Sequence, residues 1–487
     1  MQSAVQKTGA ITLYPESKTA KAEASRIFAL QRISAQNTPN PDYKSRKDAL
    51  KRLALIIERN RITLCDTLSH DYGNRAREET LLTEINSVLS NLRFTKRQLR
   101  KWMRPTRRST SIWNLPGSNK TVPMPVGVVG IMVPWNYPIN LALVPAIAAI
   151  AAGNRVMIKM PELVPELTGF LKRLFKENFT EDQIAFIDGD AAVANHFAGL
   201  PFDHLLFTGS ATIGKKVMKA AAPNLTPVTL ELGGKSPAII GAGFSLKEAA
   251  KRITWGRLFN AGQTCVAADY AFVPAGQEAA FADAALSAAR TMYPELNGNP
   301  DYSSIINDGH IDRLKSIVTE AVEGGATLYT AAPLEDIGPD RKFPLCVLVN
   351  PPADCRAMTE ELFGPILPVV GYQNLTDVIN QVNDGDAPLA AYYFGGGKGR
   401  ETILKNLRAG GMVLDDTLLQ YLQDDLPFGG VGGSGFGQYH GKKGFETFTH
   451  DKAVFTQRGV GGFTGAKLIY PPYGPVARLL LTLMRKI

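Results

Sequence analysis

From Val126 onward the chain alternates runs of strand-forming residues, loops that contain Gly or Pro, and helical stretches. The runs Val126–Val133, Arg155–Ile158 and His204–Phe207 show no polar alternation, as expected for strands that are covered on both faces. Helical patterns between them, such as Pro165–Phe175, would supply that cover. This order predicts an α/β fold built on a doubly wound, mostly parallel sheet.

A second α/β series begins near Pro227 and contains the predicted helix Leu246–Phe259 and the predicted strand Met412–Leu414. The first hundred residues instead have the apolar spacing of helices. After them, Ser109–Pro125 predicts two short strands about a turn. With 487 residues, the chain has room for two or three domains of the usual ~100–200 residues.

Composition narrows the class of protein. Hydrophobic residues make up 45% of the chain and charged residues 20%, which argues against disorder. Four cysteines without a CxxC pair argue against a structural zinc site and a disulfide scaffold, and they fit a reducing compartment. Met1–Thr12 lacks the layout of a secretory signal. We therefore expect a soluble, cytoplasmic protein, and we predict no metal site.

The net charge of +9 has one visible concentration, the eight Lys and Arg residues from Arg93 to Arg108. A basic patch of this kind can bind nucleic acid or an anionic membrane. Leu92, Leu99 and Trp102 lie among the charges at roughly helical spacing, which favours the solvated face of a helix. We therefore predict no nucleic-acid partner.

One cysteine has the surroundings of a reactive thiol. Cys265 follows a Gly-containing turn whose side chains can form hydrogen bonds, namely Asn260, Gln263 and Thr264. A free cysteine is more often a small buried hydrophobe. We expect that structural role for the three cysteines that lack a polar turn: Cys65, Cys346 and Cys355.

Two further polar residues lie at the ends of predicted strands. Glu231 precedes two glycines that let a ligand approach the backbone, and a buried carboxylate beside a thiol can act as a general base. The alternative for Glu231 is an ordinary ion pair with Lys235. Asn136 lies in the stiff loop between Pro134 and Pro138. Its amide could donate to a developing oxyanion or serve only to form the turn.

In this order and context, these segments closely resemble the aldehyde dehydrogenase superfamily. Further matching motifs follow along the chain: Met157–Glu162, Phe207–Gly214, Glu360–Pro365 and Leu426–Gly435. The resemblance runs from about Lys44 to Pro472. Within the superfamily, Gly437–His450 looks like the class 3 and fatty aldehyde branch, and His70–Leu82 looks more like the bacterial coniferyl aldehyde dehydrogenases.

The resemblance implies a covalent mechanism. Cys265, as a thiolate, would attack the aldehyde carbon to give a thiohemiacetal, whose oxyanion the Asn136 side chain and the Cys265 N–H would hold. Hydride transfer to the nicotinamide would leave an acyl thioester, and Glu231 would activate the water that releases the carboxylic acid. Because free cysteine has a pKa of about 8.5, the site must lower that pKa or deprotonate the thiol on demand.

The resemblance also implies a site for NAD. Lys159 and Glu162 would lie at the adenosine ribose, and Glu361 and Phe363 would lie beside the nicotinamide ribose. Three residues would lie near the pyrophosphate: Gly209, Ser210 and Gly214. Glu162 suits a ribose 2′-hydroxyl and would repel a 2′-phosphate, so NAD is expected first. NADP stays open because related class 3 enzymes accept both cofactors.

On the same resemblance, residues 1–108 and 124–229 would form the cofactor-binding domain and residues 230–425 the catalytic domain. Residues 109–123 and 440–487 would form an oligomerisation element and tail of a homodimer. Coniferyl-type aromatic aldehydes are the leading substrates, with medium- or long-chain aliphatic aldehydes as the alternative. A non-enzymatic binding protein on the same fold is a third interpretation, and the presence of Cys265 and Asn136 argues against it.

Three features near the C-terminus have more than one interpretation. Gly430–Gly435 matches GxGxxG, but no buried strand precedes it, so we expect a tight loop near the catalytic cleft. His440 could be the catalytic base, although Glu231 matches that role better. The tail Val476–Ile487 has one apolar helical face and is too short to span a bilayer. We favour its docking on protein over peripheral membrane contact.

Overall fold

The computed structural model of the chain describes residues 17–458, 467 and 470–484. Its helices are α1 (Ser17–Asn37), α2 (Tyr43–Arg59), α3 (Arg61–Tyr72), α4 (Arg77–Thr80), α5 (Ser87–Trp102), α6 (Pro138–Ala152), α7 (Pro165–Asn178), α8 (Ala191–Ala198), α9 (Ala211–Ala221), α10 (Leu246–Leu258), α11 (Glu278–Met292), α12 (Asp308–Glu323), α13 (Arg356–Thr359), α14 (Leu375–Asp384), α15 (Gly397–Asn406), α16 (Gly441–Thr447) and α17 (Pro475–Met484).

The strands fall into three sheets. They are β1 (Thr106–Arg108), β2 (Ser118–Pro125), β3 (Val128–Met132), β4 (Arg155–Lys159), β5 (Ile184–Ile187), β6 (His204–Gly209), β7 (Val228–Leu232), β8 (Pro237–Ile240), β9 (Tyr270–Pro274), β10 (Thr327–Thr330), β11 (Cys346–Val349), β12 (Ile366–Tyr372), β13 (Ala390–Phe394), β14 (Gly411–Leu414), β15 (Gly435–Phe436) and β16 (Thr449–Thr456).

The first sheet has the strand order β15-β7-β6-β3-β4-β5. Strands β3 to β7 are parallel, and the short β15 runs antiparallel beside β7. From β3 the chain adds β4 and β5 on one side and then returns to add β6 on the other. Ligands of open α/β sheets bind beyond the carboxyl ends of the strands at such a reversal. Asn136 follows β3 and Ser210 follows β6, so both lie at this point.

The second sheet has the order β10-β11-β12-β9-β8-β13-β14. It is parallel except for β10, which runs antiparallel to β11. The predicted α/β architecture is therefore confirmed. Both sheets are covered by helices, which explains why strands such as Val128–Met132 are buried at every position. Helix α6 is also buried along its whole length, because it packs on β3 and β4 and also contacts α2 and α5.

The third sheet corrects one prediction. Strand β2 pairs with Thr106–Arg108 on one side and with Thr449–Thr456 on the other, and both pairs are antiparallel. The first strand therefore precedes Ser109, and the predicted hairpin within Ser109–Pro125 is wrong. All three residues of β1 are exposed, so no hydrophobic pattern marks them as a strand. The sheet joins the two segments that we assigned to an oligomerisation element, whose boundaries stay a prediction.

The basic segment and the tail follow their predicted patterns in part. Helix α5 buries Leu92, Leu99 and Trp102 and exposes its charges, as predicted. Helix α17 buries Ala477 but leaves Val476, Leu479 and Leu483 of the predicted apolar face exposed. The last predicted tail residues, 485–487, lie outside the described residues. Among the helices of the described part of the chain, none combines the length and hydropathy that a membrane span requires.

Candidate active site

Cys265 is largely buried and lies where two cavities meet. The first, here called the cofactor-side cavity, is lined by six of the other predicted site residues: Asn136, Gly209, Ser210, Glu231, Glu361 and Phe363. The second, here called the apolar cavity, is lined mostly by aromatic and aliphatic side chains, including Tyr137, Leu141, Trp255, Phe259, Leu418 and Tyr421. The structure therefore brings the predicted catalytic residues together around the thiol.

The turn before Cys265 has an unusual backbone. Asn260 and Ala261 adopt φ values of +51° and +50°, in the left-handed region that residues with a side chain seldom occupy. The carboxylate of Glu79 accepts the backbone N–H of Asn260 at 3.1 and 3.2 Å, which holds this conformation. The conformation of the turn is therefore stabilised by Glu79, which lies outside it. Cys265 follows the turn that connects to the end of helix α10.

The surroundings of the Cys265 thiol oppose its ionisation. Burial raises its pKa to about 12, and the nearby carboxylates of Glu361 and Glu231 add to the rise. Of the two possibilities raised by the sequence, this environment favours deprotonation during the reaction over a preformed thiolate. The other cysteines of the chain are buried, as predicted: Cys65, Cys346 and Cys355.

Asn136 is buried and held at both its side chain and its backbone. Its side-chain Nδ2 donates to the carbonyl of Gln263 at 3.1 Å. Its own carbonyl accepts from the Tyr72 hydroxyl at 3.2 Å, from the Arg75 guanidinium and from Asn260 Nδ2 at 3.3 Å. Since one amide hydrogen is used by Gln263, the second is available to a ligand in the cofactor-side cavity.

Glu231 lies in β7 with its side chain fully enclosed. Neither carboxylate oxygen makes a well-formed hydrogen bond within the described residues. Burial raises the pKa of Glu231 well above its ordinary value, and the nearby backbone amide of Gly430 offsets only part of the rise. A carboxyl that titrates well above its ordinary range suits a general base better than an ion-pair partner. Lys235 instead pairs with Asp269 at 2.6 Å, so the alternative ion pair with Glu231 is absent.

The glycine-rich loop near the C-terminus covers Glu231. The segment Gly432–Ser434 forms a single 3-10 turn, and β15 after it pairs with β7. The loop is therefore a backbone cover of the catalytic cleft and not a dinucleotide fingerprint, as predicted.

Ser210 begins helix α9 at the carboxyl end of β6, and its side chain accepts the N–H of Ile213 at 3.4 Å. A helix N-terminus of this kind accepts phosphate charge. Gly209 has no room for a side chain, because a Cβ would lie 2.5 Å from Cζ of Phe207. Gly214 is buried in the first turn of α9, where a Cβ would lie 2.7 Å from Leu232. Close packing of the helix on the sheet therefore explains the glycine at position 214. Contact of Gly214 with a pyrophosphate stays a prediction.

Lys159 and Glu162 line a separate cavity at the carboxyl end of β4, beside α9. The Lys159 ammonium is buried and donates to the carbonyl of Gly189 at 2.7 Å and to that of Met160. Burial lowers the pKa of Lys159, and the Glu162 carboxylate opposes that shift. The cavity begins where the cofactor-side cavity ends along β3 and β6, so the two together can hold an extended dinucleotide.

Glu361 is enclosed behind the backbone of Gly233, where a Cβ would lie 1.9 Å from its Oε2. Burial, with the Asp269 carboxylate nearby, raises the pKa of Glu361 to about 8. Phe363 adopts φ +51° and packs its ring edge-to-face on Trp135, 5.4 Å between centroids. Glu361 and Phe363 therefore both line the cofactor-side cavity.

Sequence reasoning missed a buried charge cluster behind Asn136. The guanidinium of Arg75 lies 3.7 Å from the carboxylate of Glu84, and both side chains are fully buried. Glu84 also accepts the N–H of Asn140 at 2.6 Å, at the start of helix α6. Charged residues within a helical pattern are ordinarily read as solvent-facing, so their spacing carries no signal of burial.

His440 is buried against the rings of Tyr421, Phe428 and Tyr439. Neither ring nitrogen has a partner within the described residues, and burial lowers the pKa of His440 to about 3. It lines neither of the two cavities at Cys265. These facts favour Glu231 over His440 as the base.

The chain is similar to known aldehyde dehydrogenases over nearly its whole length. The sequence profile of the aldehyde dehydrogenase family matches residues 10–454. A probable coniferyl aldehyde dehydrogenase of Pseudomonas aeruginosa is 45% identical over 449 residues, which cover 92% of this chain and 93% of that protein.

Two solved structures from Staphylococcus aureus have the same fold. A substrate-bound AldH superposes with a TM-score of 0.88 at 33% identity, covering 94% of this chain and 99% of that one. A betaine aldehyde dehydrogenase in complex with NAD+ has a TM-score of 0.81 at 26% identity, covering 91% of this chain and 89% of that one. The chain therefore belongs to the aldehyde dehydrogenase family, whose general reaction is the oxidation of aldehydes with NAD or NADP.

Proposed function

We propose that this protein oxidises an aromatic aldehyde to its carboxylic acid with NAD, through a covalent intermediate on Cys265. The observation that carries the proposal is the position of Cys265 between the cofactor-side cavity and the apolar cavity. A hydride acceptor can approach the sulfur from one side while an apolar aldehyde enters from the other. Among the described residues that line these two cavities, Cys265 alone lines both, so the reaction is proposed to occur at its thiol.

We assign Glu231 as the base in both half-reactions, Cys265 as the nucleophile and Asn136 as an oxyanion donor. The Cys265 sulfur bonds to the aldehyde carbon as Glu231, directly or through water, takes the thiol proton. The resulting oxyanion accepts hydrogen bonds from Asn136 Nδ2 and from the backbone N–H of Cys265. NAD, when bound, supplies the acceptor for the hydride that leaves this carbon. Glu231 releases the first proton to solvent and then takes a proton from water as the water oxygen bonds to the acyl carbon and the sulfur leaves as a thiolate. Glu231 gives this proton to the sulfur, which restores the thiol and releases the acid.

The residues around the cofactor-side cavity fit a dinucleotide. Ser210 offers a helix N-terminus to the pyrophosphate, and Glu361 offers a carboxylate to a ribose hydroxyl. Glu162 lies at the far cavity with Lys159. Because a carboxylate accepts from a 2′-hydroxyl and repels a 2′-phosphate, NAD is proposed over NADP.

The apolar cavity supports an aromatic substrate. Four rings line it, those of Tyr137, Trp255, Phe259 and Tyr421. Its hydroxyls are already occupied, since Tyr137 Oη shares a hydrogen bond with Thr264 at 2.6 Å and Tyr421 Oη donates to Asn140. The Pseudomonas aeruginosa relative is named for coniferyl aldehyde, which also supports the proposal. An apolar wall equally admits an aliphatic chain, so medium- or long-chain aldehydes are the second candidates.

A panel of aldehydes tests this function. Coniferyl aldehyde, cinnamaldehyde and a series of aliphatic aldehydes would be compared by kcat/KM with NAD and with NADP, using Cys265→Ala as the blank. We expect the aromatic aldehydes with NAD to rank first. Aliphatic aldehydes in first place would support the second candidate. Absence of NADH formation with every aldehyde would contradict an enzymatic role.

We further propose a homodimer that forms through the third sheet and the tail. Strand β16 lies at the edge of that sheet, and edge strands can pair with another chain. Ile112, Leu115 and Phe455 expose apolar surface there, and α17 exposes more. A chain stopped after Gly474 should lose the dimer in sedimentation while its recovery with anionic liposomes stays unchanged. A dimer that survives truncation, together with loss of liposome binding, would instead support membrane contact.

We also propose that the protein acts in the cytoplasm. Its four cysteines are all unpaired in the structure, including the partly accessible Cys265. Free thiols of this kind persist in a reducing compartment. Cell fractionation with an antibody against the chain would test the location, and recovery outside the cytoplasmic fraction would contradict it.

A further inference from the structure

The oxyanion donor and the nucleophile turn are joined by one side chain, that of Asn260. Its Nδ2 donates to the carbonyl of Asn136 at 3.3 Å and to the carbonyl of Gln263 at 3.1 Å. Gln263 lies two residues before Cys265 and also accepts from Asn136 Nδ2 at 3.1 Å. The Asn260 amide therefore binds the backbone carbonyls of Asn136 and Gln263, the two residues that are also joined by the bond from Asn136 Nδ2 to the Gln263 carbonyl.

Asn260 is itself fixed from behind. Its backbone N–H donates to Glu79, whose carboxylate also accepts from the hydroxyl of Ser303 at 2.7 Å. Asn260 and Glu79 are both buried. The left-handed φ of +51° at Asn260 turns its side chain back across the turn, and asparagine tolerates this region better than most residues. Asn260 thus combines the required backbone conformation with two amide hydrogens.

We propose that Asn260 is a positioning residue that sets the separation and orientation of the oxyanion donor Asn136 relative to the Cys265 thiol. This inference rests on the catalytic roles proposed above for Cys265 and Asn136. Asn260 does not touch the reacting atoms. Its two bonds fix the Asn136 backbone against the carbonyl of Gln263 and so set where the Asn136 amide lies, and its effect on the rate therefore exists only while Asn136 can donate.

A double-mutant cycle tests this dependence. Asn260→Gly removes the side chain without adding backbone strain, since glycine accepts positive φ. It should lower kcat for aldehyde oxidation by roughly 10–100-fold, the range expected for a displaced catalytic group. Asn136→Ala should cost about 100–1000-fold, as loss of an oxyanion donor does. If Asn260 acts through Asn136, the double variant should be no slower than Asn136→Ala, within about 3-fold.

Two measurements separate positioning from a general structural defect. The Kd of NAD, measured by fluorescence with the intact enzyme, should stay within about 2-fold of the wild-type value in Asn260→Gly. Asn406→Gly is the matched control, because Asn406 also donates its amide to a backbone carbonyl, that of Thr402 at 2.9 Å, on an exposed helix end. It should leave kcat unchanged. If Asn260→Gly does not fold, Asn260→Ser, whose hydroxyl is too short to reach both carbonyls, replaces it in the cycle.

The variants distinguish failure of the positioning role from failure of the proposed oxyanion donor and of the proposed function. Wild-type kcat in the Asn260 variant, or losses that multiply in the double variant, would overturn the positioning role alone. A wild-type rate in Asn136→Ala would contradict the proposed oxyanion donor, and the inference with it. Retained activity in Cys265→Ala, measured in parallel, would contradict the proposed function itself.

Discussion

Gly435 lies directly opposite Glu231 in the antiparallel pair β15–β7. A Cβ on Gly435 would lie 1.9 Å from the carbonyl oxygen of Leu230, and its φ is +125°. Both facts exclude any other residue without a shift of the backbone. The close approach lets the glycine-rich loop cover Glu231 completely, and that burial is the main cause of its raised pKa. The glycine thus controls the environment of the carboxyl group that we propose as the base.

Gly435→Ala should therefore separate the loop from β7 and lower the pKa of Glu231 towards its ordinary value. Because a carboxylate of lower pKa is a weaker base, kcat should fall at a pH where wild-type Glu231 is ionised. It should also destabilise the fold by more than about 1 kcal/mol, because an L-residue cannot adopt this φ without strain. Gly243→Ala is the control, since Gly243 also has positive φ, +85°, but has nothing within 4 Å of an added Cβ. Thermal unfolding and kcat of both variants check the prediction. Equal losses in the two would show that strain alone is responsible.

The unpartnered carboxyl of Glu231 should make the protein less stable as pH rises. Its pKa in the folded state is raised above the unfolded value, so its contribution to stability is present below pH ~4.5 and is lost at higher pH. Glu231→Gln removes this dependence and breaks no hydrogen bond. Between pH 5 and pH 8 the variant should gain stability relative to wild type as pH rises. Denaturant unfolding of both proteins across that range measures the two free energies of unfolding. A difference between them that does not change with pH would contradict the prediction.

The same variant should separate the two halves of the reaction. Glu231→Gln cannot accept a proton from water, so deacylation should slow more than hydride transfer. Rapid mixing should show a burst of NADH followed by a slow steady state. In the wild-type enzyme the steady rate should rise with pH, because Glu231 becomes an effective base as it loses its proton. A steady state as fast as wild type in the variant would remove Glu231 from this role.

Glu361 should control the reactivity of Cys265. Its carboxylate is the largest electrostatic cause, after burial, of the raised pKa of that thiol. Glu361→Gln should lower the pKa of Cys265, which stays above its ordinary value because burial is unchanged. The pH dependence of Cys265 alkylation measures this shift. Glu360→Gln serves as control, since Glu360 is an exposed neighbour, and the same midpoint in all three proteins would refute the prediction.

The apolar cavity should distinguish substrates by shape and not by ring hydroxyls. Its own hydroxyls are paired within the protein, so a phenol gains no partner there. Sites built to bind a hydroxyl reject analogues that lack it by about 10⁴-fold or more, whereas apolar pockets discriminate by only about 10–200-fold. Cinnamaldehyde should thus have a kcat/KM within about 100-fold of that of coniferyl aldehyde. A larger preference for coniferyl aldehyde would contradict this prediction, because it would require a polar partner for the ring hydroxyl in the cavity.

The sequence predicted those parts of the fold that leave a hydrophobic signature. Strands such as Val128–Met132 are apolar on both faces because helices cover both faces, so their type and order could be read directly. Strand Thr106–Arg108 could not, since it is exposed at all three positions and is held by pairing with β2. Backbone pairing leaves no pattern in the side chains.

The site shows the same division. Cys265, Glu231 and Asn136 were recognisable because each lies within a short motif that resembles a motif of the family. The residues that support them were not: Arg75 and Glu84 form a buried ion pair within a helical pattern, and the bonds of Asn260 depend on contacts more than a hundred residues apart in sequence. Such contacts require the folded chain.

The most direct test of the account is the mass of the enzyme caught during turnover. Glu231→Gln would be mixed with NAD and cinnamaldehyde, quenched with acid and analysed by intact and peptide mass spectrometry. We predict an added cinnamoyl group on the peptide that contains Cys265, and no such addition in Cys265→Ala or when NAD is omitted. An acyl group on another residue, or steady NADH formation by an enzyme whose Cys265 stays unmodified, would contradict the covalent mechanism.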